Sequence, residues 1–429
     1  MKYRTLIVQG CMLPGCMLPG CLVLGCLVLG CLVLGVRGSQ AAPVYSNHLI
    51  FNTDPVLYWR LDEVLGTVAY DAAPGTPDNG TYQSTYSHGV AGPRPADGFP
   101  TMNPGNVAVG AATGNARVRY TSLSDTAGVG TGSYSYQVWF NSSVTNWTDR
   151  TLQYLFTRGN DDTDAGRRDA VYIGGNWAGA PTGKLSLITS TAAGVVGTRT
   201  LDPNRWYHLV VTRDDYEDPA NPGTTLGDIR VYLNGKLEMQ STAPWQGGTG
   251  NHLTAGNRTD WHSTLGLHGA FDEAAVWNRP LSEAEARNLY YDALGSPYLA
   301  SVLRKDPVAY WRLEETTGTA RAYDFTGNGR SFTYQAAATR TGTGTDVGPG
   351  PAEFGGMPAD NRAPTLTGGP LIDASNGYLG VVTGLLPGAP GGTNNDYSVE
   401  MWVRRGDDPN AHGDYLMHRW DPGSTAPRG

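Results

Sequence analysis

Tyr134-Ser-Tyr-Gln-Val-Trp-Phe140 is the stretch on which the fold turns. Tyr134, Tyr136, Val138 and Phe140 alternate with Ser135, Gln137 and Trp139, the period-two pattern of a strand that presents two different faces. Trp206-Tyr-His-Leu-Val-Val-Thr-Arg213 and Phe271-Asp-Glu-Ala-Ala-Val-Trp277 read the same way. Val231 to Met239 carries Asn234-Gly235 at its centre, and Asn-Gly readily takes the positive φ angles of a type I′ turn, so a hairpin is expected. Gly- and Pro-rich loops separate these strands, as in a sandwich. One helix stands out. Ser282-Glu-Ala-Glu285 is a capping box, Ala286, Leu289, Tyr290 and Ala293 follow at helical spacing, and Gly295 closes the element. Such a helix is expected to pack on the edge of the sandwich.

The pattern occurs twice. Asp54-Pro-Val-Leu-Tyr-Trp-Arg-Leu-Asp-Glu63 recurs as Asp306-Pro-Val-Ala-Tyr-Trp-Arg-Leu-Glu-Glu315. Tyr70-Asp71 recurs as Tyr323-Asp324, and Asn79-Gly80 as Asn328-Gly329. Tyr134 to Phe140 answers Tyr397 to Val403, and Tyr154-Leu-Phe-Thr-Arg158 answers Tyr415-Leu-Met-His-Arg419. Matches in one order mark two copies of one domain. The first spans 43–296. The second, 300–429, has no counterpart of Trp206 to Arg213 or of anything after it, and reads as a truncated copy.

Composition narrows the class. With 58 Gly among 429 residues and only 16% charged residues, the chain suits a loop-rich β protein and not a coiled coil or a charge-rich bundle. The formal charge of −8, from 39 acidic and 31 basic residues without a long like-charge run, offers no basic face for nucleic acid. All five cysteines (Cys11, Cys16, Cys21, Cys26, Cys31) lie at the extreme N-terminus, which excludes disulfides, Cys-ligated zinc and a cysteine nucleophile from any folded domain.

Residues 1–42 begin with Lys2 and Arg4 and continue through tandem CMLPG and CLVLG pentapeptides to Ser39-Gln-Ala-Ala42. A basic start, an apolar run and a small-residue cut site after Ala41 or Ala42 form an export signal. The apolar run is also long enough for an uncleaved membrane anchor. Leu-Val-Leu-Gly before Cys26 and Cys31 resembles a bacterial lipobox, the signature of a lipoprotein. All three readings place the remaining chain outside the cytoplasm, with membrane contact only through this segment.

The ordered set "YWRLDE", "WYHLVVTRD", "VYLNGK" and "FDEAAVWNRPLSEAE" resembles the laminin G-like jelly rolls of the concanavalin A-like lectin/glucanase superfamily. The resemblance implies an all-β fold, two antiparallel sheets packed face to face, with first and last strands adjacent. It also implies calcium, sugar or protein binding, or a passive surface module.

Candidate chemistry was sought in that frame. Glucanases of the superfamily carry E-x-D-x-x-E on one strand, and no such string occurs here. Asp62-Glu63, Glu314-Glu315 and Asp272-Glu273 are adjacent pairs, which in a regular strand point to opposite faces. Nor does G-x-S-x-G, H-E-x-x-H or a phosphate loop appear, so no catalytic residue is assigned. Ca²⁺ takes six to eight oxygens, typically from Asp/Asn/Gly loops. Asp71 with Asn79, and Asp324 with Asn328, fit that description, and Asp272 is expected to approach the first pair across neighbouring strands. The competing reading is a turn held by its own Asp and Asn side chains. Asp161-Asp162-x-Asp164 reads as a solvated loop tip, since Arg167 and Arg168 follow. For sugars, Trp147, Trp177, Trp245 and Trp261 lie in Gly/Asn/Thr-rich loops and are the stacking candidates. The expected function is an exported, non-catalytic recognition or adhesion module for glycan or extracellular protein. A structural spacer and a carbohydrate-active enzyme are the alternatives.

Overall fold

In the computed structural model, the chain from Tyr45 onward is described at residues 45–120 (except 76), 132–159, 168–176, 182–189, 194–244, 252–258 and 264–313, and at shorter stretches between 315 and 402. A helix, α1 (Tyr45–Thr53), leads into β1 (Leu57–Trp59), β2 (Val68–Ala69), β3 (Gly80–Gln83), β4 (Ser87–Ala91), β5 (Val107–Ala111) and β6 (Arg117–Tyr120). There follow β7 (Tyr134–Ser142), β8 (Leu152–Gly159), β9 (Arg168–Gly174), β10 (Lys184–Ile188) and β11 (Val195–Thr200). The run closes with β12 (Trp206–Glu217), β13 (Thr225–Leu233), β14 (Lys236–Pro244), β15 (His252–Ala255), β16 (Gly269–Trp277), α2 (Glu283–Leu294) and α3 (Pro297–Leu303).

These strands make two eight-stranded antiparallel sheets. The front sheet runs β14-β13-β12-β7-β16-β5-β4, with β1 also on β16; the back sheet runs β11-β10-β9-β8-β15-β6-β3-β2. First and last strands are neighbours, Leu57 opposite Val276 and Trp59 opposite Ala274, as expected of a jelly roll. The Asn234-Gly235 turn has φ of 52° and 75° and joins β13 to β14, the predicted hairpin. Val138, Phe140, Leu209, Val231 and Phe271 of the front sheet meet Val118, Phe156, Val171 and Leu187 of the back sheet in the main core.

The alternation of β7 is present, but its second face is not wet. Ser135, Gln137 and Trp139 are all buried. A second apolar cluster lies outside the front sheet, where Trp139, Val210, Ala275 and Trp277 meet Tyr45 and Leu49 of α1 and Ala286, Leu289, Tyr290 and Ala293 of α2. The capping box forms as predicted, with Ser282 Oγ accepting from the Glu285 amide and Gly295 in the left-handed region. Yet α2 covers the middle of a sheet and not its edge, because Trp139 and Trp277 need an apolar lid. Helix α1 was not anticipated among strands; Tyr45, Leu49 and Thr53, four apart, are its buried stripe.

Gln137 stitches the layers together. Its Oε1 accepts from Tyr45 Oη (3.2 Å) and from His208 Nε2 (2.9 Å), and its Nε2 donates to the carbonyl of Glu273 (3.1 Å). Trp139 Nε1 donates to Tyr45 Oη at 3.3 Å.

The segment expected to be a second copy shares one local contact with the first domain, although its residues 398–402 form no strand and Trp402 is 47% exposed where Trp139 is buried. Trp402 Nε1 donates to Tyr298 Oη (2.7 Å), which in turn bonds Glu400, as Trp139, Tyr45 and Gln137 do. The ring pairs are alike, with centroids 6.2 Å apart for Tyr298–Trp402 and 5.9 Å for Tyr45–Trp139. Short strands β17 (Arg321–Ala322) and β18 (Phe332–Thr333) pair, and β19 (Ala338–Thr339), β20 (Val347–Pro349) and β21 (Arg362–Leu366) form a small sheet. Residues 403–429, and with them the second copy's expected truncation, lie outside the described residues, as do residues 1–42.

His208 supplies a pH test. Burial holds its imidazole neutral and pushes its pKa down to about 3, between the Trp139 and Tyr290 rings. A depressed folded-state pKa means stability that is present above about pH 6.5 and lost as pH falls toward 3. Replacing His208 with Phe removes the proton uptake. The stability advantage of the unmodified protein over this variant, measured by urea melts, should shrink by about 3 kcal/mol between pH 7 and pH 4. An advantage independent of pH would show that His208 does not titrate on unfolding.

Candidate functional site

The Asp/Asn loops turn out to be self-contained. Asp71 Oδ1 accepts from the amides of Tyr58 (2.8 Å) and Ala73 (2.9 Å), and Oδ2 from that of Asp78 (2.9 Å). Asn79 Oδ1 accepts from the Asp71 amide at 2.9 Å. Trp59 Nε1 donates to the Asp78 carbonyl, locking the loop over the first strand. Asp324 does the same work, taking the amides of Tyr310, Thr326 and Arg330. Asn328 is not the counterpart of Asn79. The amide of Asp324 donates to Ser331 Oγ, and Trp311 Nε1 to the Arg330 carbonyl, so Ser331 takes the place of Asn79 in a loop one residue shorter. Asn328 instead donates through Nδ2 to the Val308 carbonyl. A dipeptide match placed this register wrongly; the hydrogen bonds correct it.

Asp272 is held elsewhere. Its Oδ2 accepts from Asn106 Nδ2 at 2.7 Å, and its Oδ1 is buried with no hydrogen-bond partner. Gly92 makes room for this pair, since a Cβ there would lie 2.6 Å from Asn106 Nδ2 and 2.8 Å from Asp272 Oδ2. The next residue breaks the strand rule. The register of β16 on β7 slips between Asp272 and Ala275, with Glu273 at a φ of 51°. This bulge puts both carboxylates on the helix-covered side of the sheet: Asp272 lies opposite Trp139, and Glu273 accepts from Tyr58 Oη. The expectation of opposite faces therefore fails, because a bulge inserts one residue out of phase. Burial raises both pKa values. Asp272 stands well above the carboxylate range, with the neighbouring Glu273 charge adding to the effect. Glu273 rises to about 7, restrained by the Arg60 guanidinium. At 0% and 2% exposure the pair is closed to a polymeric substrate. Asp272 Oδ1 is an unpaired buried oxygen among the residues expected to hold calcium, but no group of three or more His, Asp or Glu side chains placed to hold an ion occurs among the described residues.

Of the stacking candidates, Trp177, Trp245 and Trp261 lie outside the described residues. Trp147 is half-buried against the main core and rests on the bare face of Gly183, where a Cβ would come within 2.5 Å of its ring. It seals a core edge. Asp161, Asp162 and Asp164 also fall outside the described residues.

A polar surface lies on strands whose sequence pattern points only to a hairpin. On the outer face of β12, β13 and β14, register places Tyr216–Leu226–Pro244, Asp214–Asp228–Thr242 and Thr212–Arg230–Gln240 in three successive rows, with Thr212 buried at 2% exposure. A groove of about 380 Å³ opens along Asp228, Arg230, Gln240 and Thr242. Thr242 Oγ1 donates to Asp228 Oδ1 at 2.8 Å, and Arg230 lies 4.0 Å from Asp228. The signal was present in the alternation of Asp228 and Arg230 with Ile229 and Val231, which was read only for its hairpin.

Asn106→Ala should test the Asp272 pocket. With the buried carboxylate then deprived of its side-chain donor, unfolding free energy should drop by about 1–3 kcal/mol in a chemical melt. A loss under about 0.5 kcal/mol would mean that Asp272 finds another donor.

No curated protein matches the chain. Among solved structures, domain 4 of AbnA, a GH43 extracellular arabinanase from Geobacillus stearothermophilus in complex with arabinotriose, is 17% identical, covering 55% of this chain and 98% of that one, with a TM-score of 0.36. The binding domain of botulinum neurotoxin serotype G is 11% identical, covering 56% and 51%, with a TM-score of 0.36. The sialidase of Trypanosoma rangeli in complex with 2,3-difluorosialic acid is 11% identical, covering 57% and 34%, with a TM-score of 0.38. The chain thus spans about half of the toxin binding domain and a third of the sialidase. Residues 114–287 match the laminin G family model of the concanavalin A-like lectin/glucanases superfamily.

Proposed function

We propose that the sandwich is a non-catalytic recognition module that binds glycan through the outer face of β12–β14. The three-row surface carries the reading. Carboxylate, guanidinium, amide and hydroxyl groups stand on a rigid sheet, so donors and acceptors for vicinal sugar hydroxyls are held in place before binding. Tyr216, 38% exposed, offers a ring at one end of the rows. The rows extend over about 14 Å, two residue pairs along each strand, which suits a short oligosaccharide. Protein partners are the alternative ligand class, and the export segment supports an extracytoplasmic location. A spacer within a larger surface protein is the second reading; it draws on the contacts between the second copy and the first, described below.

The reading includes a structural calcium ion at Asp272, with the backbone and side chains around Asn106 and Glu273 as its surroundings. The ion would supply charge to a pocket that otherwise buries two carboxylates beside one guanidinium.

Two measurements decide these points. On a glycan array, the protein should bind a defined subset of sugars, and Arg230→Ala with Gln240→Ala should reduce that binding at least tenfold while leaving the melting temperature within a degree or two. No bound glycan, or binding untouched by the double substitution, would remove this face from consideration. For calcium, EDTA should lower the melting temperature, and Asp272→Asn should abolish that sensitivity; an ion at a hundredfold excess over Kd adds about 2.7 kcal/mol to a state that alone binds it. Superimposable melts with and without chelator would leave Asp272 as a purely structural carboxyl.

A further inference from the structure

The two copies share a scaffold and differ where they touch. In both, the Asp before Pro has a φ of 51° (Asp54, Asp306), and the Leu after Trp-Arg is left-handed (Leu61 at 61°, Leu313 at 59°). In both, the Tyr amide is taken by the loop Asp and the loop's Tyr amide by a Glu, Glu63 for Tyr70 and Glu315 for Tyr323. Trp59 bridges Asp71 as Trp311 bridges Asp324. Among the positions that differ on this common frame, three bear on the contact between the two segments: Val68 becomes Arg321, Ala72 becomes Phe325 and Asn79 becomes Ser331.

Each of the three changed residues contacts the first domain. Arg321 Nη2 lies 2.8 Å from Asp202 Oδ1, and Ser331 Oγ donates to Asp202 Oδ2 at 2.6 Å. Phe325 fills the space beside Gly98, whose missing Cβ would be 3.0 Å from its ring, and joins the outer apolar cluster with Phe99 and Tyr290. Arg205 spans the rings of Tyr323 and Phe325 at 5.0 and 5.2 Å, and Arg312 Nη1 donates to the Gly98 carbonyl at 2.9 Å. The counterpart of Tyr323 in the first copy, Tyr70, is 62% exposed. Asp202 and Arg205 are nearly dry, with side chains 9% and 10% exposed. Arg321 is itself 41% exposed, so the penalty for leaving the socket unpaired falls on the buried Asp202 and Arg205.

We propose that residues 304–313 together with Arg321–Thr326 and Arg330–Thr333 form a directional lock, in which Arg321, Phe325 and Ser331 seat the later segment in the Gly98–Asp202–Arg205 socket of the first domain. The socket selects a following repeat that carries Arg, Phe and Ser at these places and rejects the opening motif of the first copy, which carries Val68, Ala72 and Asn79. The lock fixes the angle between consecutive repeats, so the pair moves as one piece.

Hydrogen exchange on the full chain tests this through two variants, one on each side of the joint. R321V/F325A installs the first copy's residues in the second, and Asp202→Asn removes the socket's charge without changing its shape. In the unmodified protein the amides of Thr326 and Arg330 should exchange as slowly as those of Ala73 and Asp78. In both variants exchange across the lock residues should accelerate at least tenfold, with β7 and β12 unchanged. Unaltered protection of those residues in both variants would overturn the lock, since the motif would then hold its shape unaided. Equal loss of protection across β7 and β12 would also overturn it, because the segment would then be part of the first domain's core.

Discussion

A glutamine amide on the central strand of a sheet cannot be buried without partners for its oxygen and both hydrogens, and Gln137 organises what lies around it. Its oxygen fixes Tyr45 and therefore the pitch of α1; the same oxygen fixes the tautomer of His208 on the next strand. Its nitrogen reaches the carbonyl of Glu273, a residue displaced from the regular ladder by the bulge in β16. The helical lid, the central strands and the closing strand are thus oriented by one side chain. Glu400 occupies the matching place in the later segment and bonds Tyr298, but residues 398–402 form no strand and are exposed, so an acid there needs no enclosing partners.

The repeated opening motif is held by a different economy. One carboxylate collects three backbone amides that would otherwise lack acceptors at the first strand and its loop, and a tryptophan indole closes the loop from the other side. Val68 and Ala72 make no hydrogen bond through their side chains in that frame, so these positions are free to carry Arg321 and Phe325 at the corresponding places; Asn79 and Ser331 each accept from the loop Asp amide, and Ser331 adds a bond to Asp202. The outer face of β12–β14 has the same freedom away from the buried Thr212: it needs none of its other polar side chains for packing.

Much of the fold could be read directly. Asn234-Gly235, Ser282 with Glu285, and the alternation in β7 each encode a local geometry through backbone preference or side-chain spacing, and each appears where expected. Helix α1 could not be read in this way, since Tyr45, Leu49 and Thr53 are a thin stripe in a nine-residue helix with no charged first turn. The Asp272–Glu273 bulge was equally hidden, because nothing local demands a left-handed glutamate; the requirement comes from Tyr58 and Gln137, more than a hundred residues away. Asn79 and Asn328 looked equivalent as letters. The Asp loop's length, not its Asn, decides which residue meets the Asp amide, and that is a three-dimensional property.

The pairing of β1 with β16 carries a consequence in time. Leu57 and Val276 are ladder partners separated by more than 200 residues, and β7, at the middle of the front sheet, has β16 on one flank and β12 on the other. A chain made from its N-terminus therefore holds its first strand and its central strand open until Trp277 has been synthesised. Contacts this remote in sequence make folding slow. During that interval the nascent chain is a flexible polymer, able to thread a narrow channel and vulnerable to proteases and aggregation, and it passes from threadable to closed in a single late step.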